Sequence, residues 1–92
     1  MKPFQPPLAV DLLDQFIGAA RPRLASQATP KARLELLWSL AKSARDLASQ
    51  DVWETEFKLL ADELGLTAHR LIQNDGIDHV LRWAWRGWNP FR

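Results

Sequence analysis

The chain has 92 residues, no cysteine and a net charge of +1. These values exclude a disulfide framework and a thiolate metal site, and they argue against a strongly basic nucleic-acid-binding chain. The length allows one domain, whose small core depends on five Trp and four Phe side chains. No apolar run is long enough to cross a bilayer and no secretory signal is visible, so we expect a cytoplasmic protein.

The N-terminal part is predicted to be an extended arm followed by a helix. Three prolines stand in residues 1–7, where they oppose helix formation. Apolar residues at three- and four-residue spacing predict the first helix from Leu8 to Arg21. Pro22 disfavours helical geometry at Arg21, so we expect the helix to stop there and a loop to reach Ala28.

A second helix is predicted from Pro30 to about Ser49. Thr29 can cap its first turn, and Pro30 occupies the position at which a missing N–H costs nothing. Its polar face is basic and could meet phosphate or an acidic partner, although such faces are often only solvated. The basic residues are Lys31, Arg33, Lys42 and Arg45.

The third helix is predicted to begin at Asp51, which forms a capping box with Glu54, and to end at Gly65. One side of this helix is apolar, and the other carries mostly acidic residues. The apolar stripe contains Trp53, Phe57, Leu60, Ala61 and Leu64.

Two shorter helices complete the prediction, from Ala68 to Asn74 and from Ile77 or Asp78 to Arg86. The turn residues after Asn74 separate them, and Gly87 ends the second. We therefore expect one all-α domain at residues 8–88, a bundle of about five short helices, with a tail at residues 89–92.

The segment from Phe57 to Asn74 has a distinctive spacing. Ala61 is small enough for a close helix crossing, Gly65 accepts left-handed geometry, and Leu66 and Leu71 can lock the crossing. In these positions the segment resembles the helix-turn-helix superfamily. The alternative is an ordinary helical hairpin with a glycine turn.

The resemblance implies a role in binding double-stranded DNA through the major groove. Base-reading side chains would stand on the short helix after Gly65, and phosphate contacts would come from elsewhere, with Arg82 and Arg86 as further candidates. The main predicted DNA-binding residues are Thr67, His69, Arg70, Gln73, Lys31 and Arg33.

The C-terminal segment offers a second candidate surface, because it interleaves tryptophan with arginine. Trp83 and Trp85 lie about 200° apart around a helix, so both cannot face the same core. Tryptophan and arginine are enriched at binding hot spots, which favours a protein partner. The alternative is that Trp83 packs on the first helix and the tail closes the bundle. The predicted partner-binding residues are His79, Arg82, Trp83, Arg86, Trp88 and Phe91.

Catalysis is not indicated. The chain has two histidines, His69 and His79, and neither stands in a nucleophile or metal-ligand pattern. We expect no catalytic residue, metal, cofactor or small-molecule substrate. The predicted function is a small regulatory protein that binds DNA, or alternatively an adaptor or inhibitor that binds protein. A homodimer formed through exposed aromatic residues fits either one.

Overall fold

Helices form all the regular structure in the part of the chain that is described. The computed structural model describes residues 9–66 and 76–89. Its elements are α1 (Ala9–Ala25), α2 (Pro30–Ser43), a 3₁₀ turn (Arg45–Leu47), α3 (Gln50–Glu63) and α4 (Ile77–Arg86). The all-α prediction is confirmed, with four α-helices in these residues. The helix predicted at 68–74 lies outside them.

Helix α1 continues through Pro22 to Ala25, so the predicted stop at Arg21 is wrong. Pro22 leaves the Gly18 carbonyl without its helical donor, but both residues are exposed and water can bond that oxygen. The extra turn buries Leu24 completely. From α2, Arg33 donates hydrogen bonds to the carbonyl oxygens of Leu24 at 3.0 Å and Gln27 at 3.2 Å. Burial and capping together offset the proline.

The start of α2 follows the prediction. Thr29 Oγ1 accepts a hydrogen bond from the Ala32 amide at 3.1 Å, and Pro30 occupies the first turn. These two contacts confirm the predicted N-cap.

Helix α2 ends at Ser43, earlier than the predicted Ser49. The Trp53 indole N–H donates to the carbonyl oxygen of Ala41 at 2.8 Å and thereby satisfies an acceptor in the last turn. The following 3₁₀ turn tightens the chain, so that Leu47 and Ala48 pack against the core. A straight continuation of α2 would not return the chain to Trp53.

Helix α3 begins at Gln50 with Ser49 as its N-cap residue, so the predicted capping box of Asp51 and Glu54 is wrong. Asp51 lies inside the first turn, and Glu54 faces Lys58 at 3.7 Å. The apolar stripe is confirmed in four positions, which are buried, while Leu64 is half-buried. The buried members are Trp53, Phe57, Leu60 and Ala61.

Gly65 ends α3 with a φ of +72°, as predicted. The Leu66 amide donates to the Ala61 carbonyl at 2.8 Å, and the Gly65 amide donates to the Asp62 carbonyl at 3.0 Å. This pair of bonds is a Schellman motif. It turns Leu66 back into the core, where the side chain is 3% exposed.

Helix α4 runs from Ile77 to Arg86 as predicted, and Gly87 ends it with a φ of +81°. Val80, Leu81 and Ala84 are buried against the other helices. No polar or charged side chain is buried in the described ranges, so the core is entirely apolar apart from its indole nitrogens.

Candidate functional site: a tryptophan-lined groove between two helix ends

The C-terminal ends of α2 and α4 are joined by Arg45. Its Nη1 donates to the Trp85 carbonyl oxygen at 2.7 Å, and its Nε donates to the Lys42 carbonyl oxygen at 3.1 Å. Gly87 lies beside this link, and a Cβ at that position would make ordinary contacts, 3.8 Å from both Arg45 Nη1 and Lys42 Cε. The arrangement fixes the direction in which the chain leaves α4.

An open groove of about 680 Å³ lies beside this junction. It is lined by Trp38, Lys42, Gly87, Trp88 and Asn89. Trp38 is 9% exposed and forms the base, whereas Trp88 is 60% exposed and forms a wall. A second Schellman motif holds Trp88 in place, with its amide donating to the Trp83 carbonyl at 2.8 Å.

Two cations lie against the tryptophan rings of the groove. Lys42 Nζ is 5.4 Å from the Trp38 ring centroid, and Arg86 Cζ is 5.8 Å from that of Trp88. Both distances fall within the cation–π range. Neither cation takes part in an ion pair among the described residues, whereas Arg21 and Lys58 do. The groove therefore presents aromatic surface together with positive charge.

The indole nitrogen of Trp38 is buried and has no hydrogen-bond partner among residues 9–66 and 76–89. The buried indole of Trp53 differs, because its N–H donates to the Ala41 carbonyl oxygen. Its ring centroid also lies 5.6 Å from that of Phe57 and 5.1 Å from that of Trp85. A buried polar group without a partner costs about 1–3 kcal/mol. Trp53 is therefore a satisfied core residue, and the base of the groove carries an unmet donor.

The outer face of α4 continues from the groove. The His79 and Trp83 rings are 6.0 Å apart and both side chains are half-buried, while Arg82 and Arg86 are exposed. Five of the six predicted partner-binding residues thus occupy α4 and the residues just after it, and Phe91 lies outside the described residues. Trp83 is neither fully exposed nor part of the buried core.

The opposite end of α4 is attached to α3 by an ion pair. Lys58 Nζ bonds the Asp78 carboxylate and lies 3.7 Å from a Glu54 oxygen. The hydrogen bond that Lys58 donates to Asp78, together with these negative charges, raises the pKa of Lys58 above its usual value. Asp78 also lies in the first turn of α4, where the helix dipole favours an anion.

The predicted DNA-reading residues, Thr67, His69, Arg70 and Gln73, fall outside the described residues. Of the other two candidates, Lys31 is exposed at the start of α2. Arg33 is half-buried and caps the C-terminal end of α1, so its guanidinium is engaged within the fold. The predicted acidic character of α3 is visible, since that helix carries five acidic residues and one lysine.

Of the five residues that line the groove, only Trp88 was predicted as a site residue. Trp38 was assigned to the core and Lys42 to a basic face, and Asn89 was placed in the tail. The assignments of Trp38 and Lys42 are compatible with the structure. Their position beside Trp88 depends on a contact between two helix ends that are far apart in the chain. The available sequence signal was Gly87, which ends α4 with a positive φ and so marks the turn that leads to Trp88.

Comparison of the chain with protein-family models, curated proteins and solved structures finds no match. Across residues 9–66 and 76–89, no helix combines the length and apolar character that a membrane span needs. The same residues contain no group of three or more His, Asp or Glu side chains placed to hold a metal ion.

Proposed function

We propose that this chain is a small, non-enzymatic protein-binding module, and that the groove between α2 and α4 is its binding surface. The proposal rests on Trp88, which is 60% exposed although six other described aromatic side chains are buried or half-buried. A tryptophan that stays exposed loses the stabilisation that burial would give, which is about 1.5–3 kcal/mol for large apolar side chains. Trp88 is the largest and the most exposed of the exposed large hydrophobic side chains among the described residues.

The surroundings of Trp88 support a protein partner. Tryptophan and arginine are the residue types that contribute most binding energy at protein interfaces, and Arg86 lies against the Trp88 ring. The groove is open, whereas small-molecule sites usually enclose most of their ligand. A side chain from another protein could pack in the groove against Trp88 and exclude water from that ring. We include a cytoplasmic location in the proposal, because a chain without cysteine needs no oxidising compartment.

A displayed library of random peptides, selected on the immobilised protein, tests the proposal. We expect enriched peptides that bind the intact protein and lose at least about tenfold in affinity on Trp88→Ala, the scale of a hot-spot residue. Leu59→Ala is the matched control, because Leu59 is 55% exposed on α3 and does not line the groove. Peptides that bind Trp88→Ala as well as the intact protein would remove the groove from the function.

Double-stranded DNA binding is the second candidate function. It is favoured by the turn after α3, where Ala61 is fully buried, Gly65 is left-handed and Leu66 packs inward. These are the features that the first helix and turn of a helix-turn-helix unit require. The acidic surface of α3 and the engagement of Arg33 count against this candidate.

The DNA proposal has its own test. Binding of a pool of random duplexes, followed by fluorescence anisotropy at low salt, should be weakened by Arg70→Ala and Gln73→Ala and should fall steeply as salt rises. Arg23→Ala serves as a control, since Arg23 is exposed at the end of α1 and belongs to neither candidate surface. Failure to bind any duplex at low salt would eliminate this function.

A further inference from the structure

The charge on the described surface is divided between two regions. Helix α3 carries five acidic residues, among which Glu54 pairs with Lys58 and Glu63 pairs with Arg21. The groove side carries Lys42, Arg82 and Arg86 without an ion pair among the described residues. No acidic side chain lines the groove in that part of the chain. A partner that supplies negative charge would meet no local repulsion there.

The cations lie at the edge of the aromatic surface. Lys42 is above the Trp38 ring and Arg86 is above the Trp88 ring, so carboxylates bound to them would flank whatever fills the groove. Arg82 is exposed one turn before Arg86 on the same helix and extends the positive edge along α4. The surface thus has an apolar centre and a basic border.

We propose that the groove binds an acidic peptide segment of another protein, in which one large apolar side chain is flanked by Asp or Glu. The apolar side chain lies in the groove against the exposed Trp88 ring, and the flanking carboxylates pair with Lys42, Arg82 and Arg86. This inference rests on the proposed protein-binding function and adds the chemistry of the partner. The charge complementarity would increase the association rate as well as the affinity.

Single-stranded nucleic acid also combines negative charge with groups that stack, but the groove suits it less well. Binding of that kind uses successive aromatic faces along a basic channel. Here Trp88 offers an open face, while Trp38 is 9% exposed and cannot take a stacked base. The net charge of +1 is also low for a surface that follows a phosphate backbone.

The test uses a fluorescent peptide with one central Trp and three Glu on each side, compared with versions in which Gln or Lys replaces every Glu. Anisotropy should show the Glu peptide binding about tenfold more tightly than the Gln peptide at low salt, because three exposed ion pairs contribute modestly each. The difference should shrink in high salt through screening. The Lys peptide should not bind measurably.

Charge reversal separates recognition from a structural role. Lys42→Glu and Arg86→Glu should each weaken binding of the Glu peptide at least about fivefold and strengthen binding of the Lys peptide. A damaged fold could not produce that gain in affinity. Lys31→Glu, on the exposed start of α2, is the matched control and should change neither. Circular dichroism verifies that each variant is helical.

The possible results distinguish the two proposals. If Trp88-dependent peptides bind equally well with Glu, Gln or Lys, the acidic-partner inference is wrong and the proposed function stands. If no peptide binding depends on Trp88, both are wrong. Tight binding of oligo-dT that requires Trp88 and Lys42, without peptide binding, would assign the groove to nucleic acid. A homodimer that Trp88→Ala dissociates would assign it to a second copy of this chain, and so overturn the inference.

Discussion

Arg45 Nη1 lies 2.7 Å from the carbonyl oxygen of Trp85 and joins two helix ends that are 40 residues apart in the chain. The same guanidinium bonds the Lys42 carbonyl, so one side chain caps both α2 and α4. Carbonyls in a last helical turn have no helical donor of their own, and a cation near them is favoured by the dipole. The position of Trp88 relative to Trp38 depends on this link.

Replacing Arg45 with Met should lower the free energy of unfolding by about 1–3 kcal/mol, because hydrogen bonds from a charged donor to two carbonyls are lost. Urea denaturation followed by circular dichroism measures the change. Arg23→Met is the control and should stay within about 0.5 kcal/mol, since Arg23 is exposed. An Arg45→Met protein as stable as the parent would show that the junction does not depend on this side chain.

Replacing Trp53 with Phe should lower the free energy of unfolding much more than replacing Trp88 with Phe. Trp53→Phe should cost about 2–4 kcal/mol, since it leaves a cavity at a 1% exposed site and removes the bond to Ala41. Trp88→Phe should cost less than about 0.5 kcal/mol, because the ring is largely in water. Thermal unfolding measures both changes in stability, and each kcal/mol shifts the Tm by about 4–8 °C in a domain of this size. Equal losses would contradict the division into core and surface tryptophan.

Alkaline pH should weaken the link between α3 and α4. The pKa of Lys58 is raised in the folded protein by Asp78, so its contribution is fully present below the unfolded pKa of roughly 10.4. The contribution is lost as pH rises through the folded pKa, when the ammonium deprotonates. Unfolding free energies of the parent and of Lys58→Met should therefore converge above that value. Because both side chains are substantially exposed, the effect should also shrink in salt.

Asp78→Asn is the matched variant for this pH effect. It removes the principal cause of the raised pKa and keeps a side chain of the same shape. The alkaline loss of stability relative to Lys58→Met should then be reduced. An unchanged pH profile in Asp78→Asn would assign the raised pKa to Glu54 instead.

The interior proline of α1 should be a source of instability. Pro22→Ala restores a donor for the Gly18 carbonyl and should raise the free energy of unfolding by about 1–3 kcal/mol. Pro30→Ala is the contrasting control, because Pro30 stands in the first turn of α2 and its loss should be neutral or slightly destabilising. If Pro22→Ala were the destabilising change, the helix must depend on the rigidity of the proline.

Local patterns predicted most of the helical structure. The apolar spacing placed α4 at its observed bounds, and Thr29, Gly65 and Gly87 marked helix ends correctly because each acts on its own neighbouring backbone. The predicted stop at Arg21 was wrong because the burial of Leu24 and the capping by Arg33 from another helix together offset the proline.

The groove could not be predicted in the same way. It forms where α2 and α4 end side by side, and the bond that joins them spans 40 residues. The early end of α2 similarly depends on Trp53, which donates to Ala41 from the next helix. Residue spacing reports which side of a helix is apolar, but it does not report which helix ends meet.

Gly65 and Gly87 terminate their helices with the same backbone motif, but the residue that follows has opposite fates: Leu66 is 3% exposed and Trp88 is 60% exposed. At Gly87 the motif therefore fixes the backbone amide of a residue whose indole ring is largely exposed. If Trp88 binds a partner as proposed, part of its backbone freedom is already lost before binding, so association should require little backbone rearrangement.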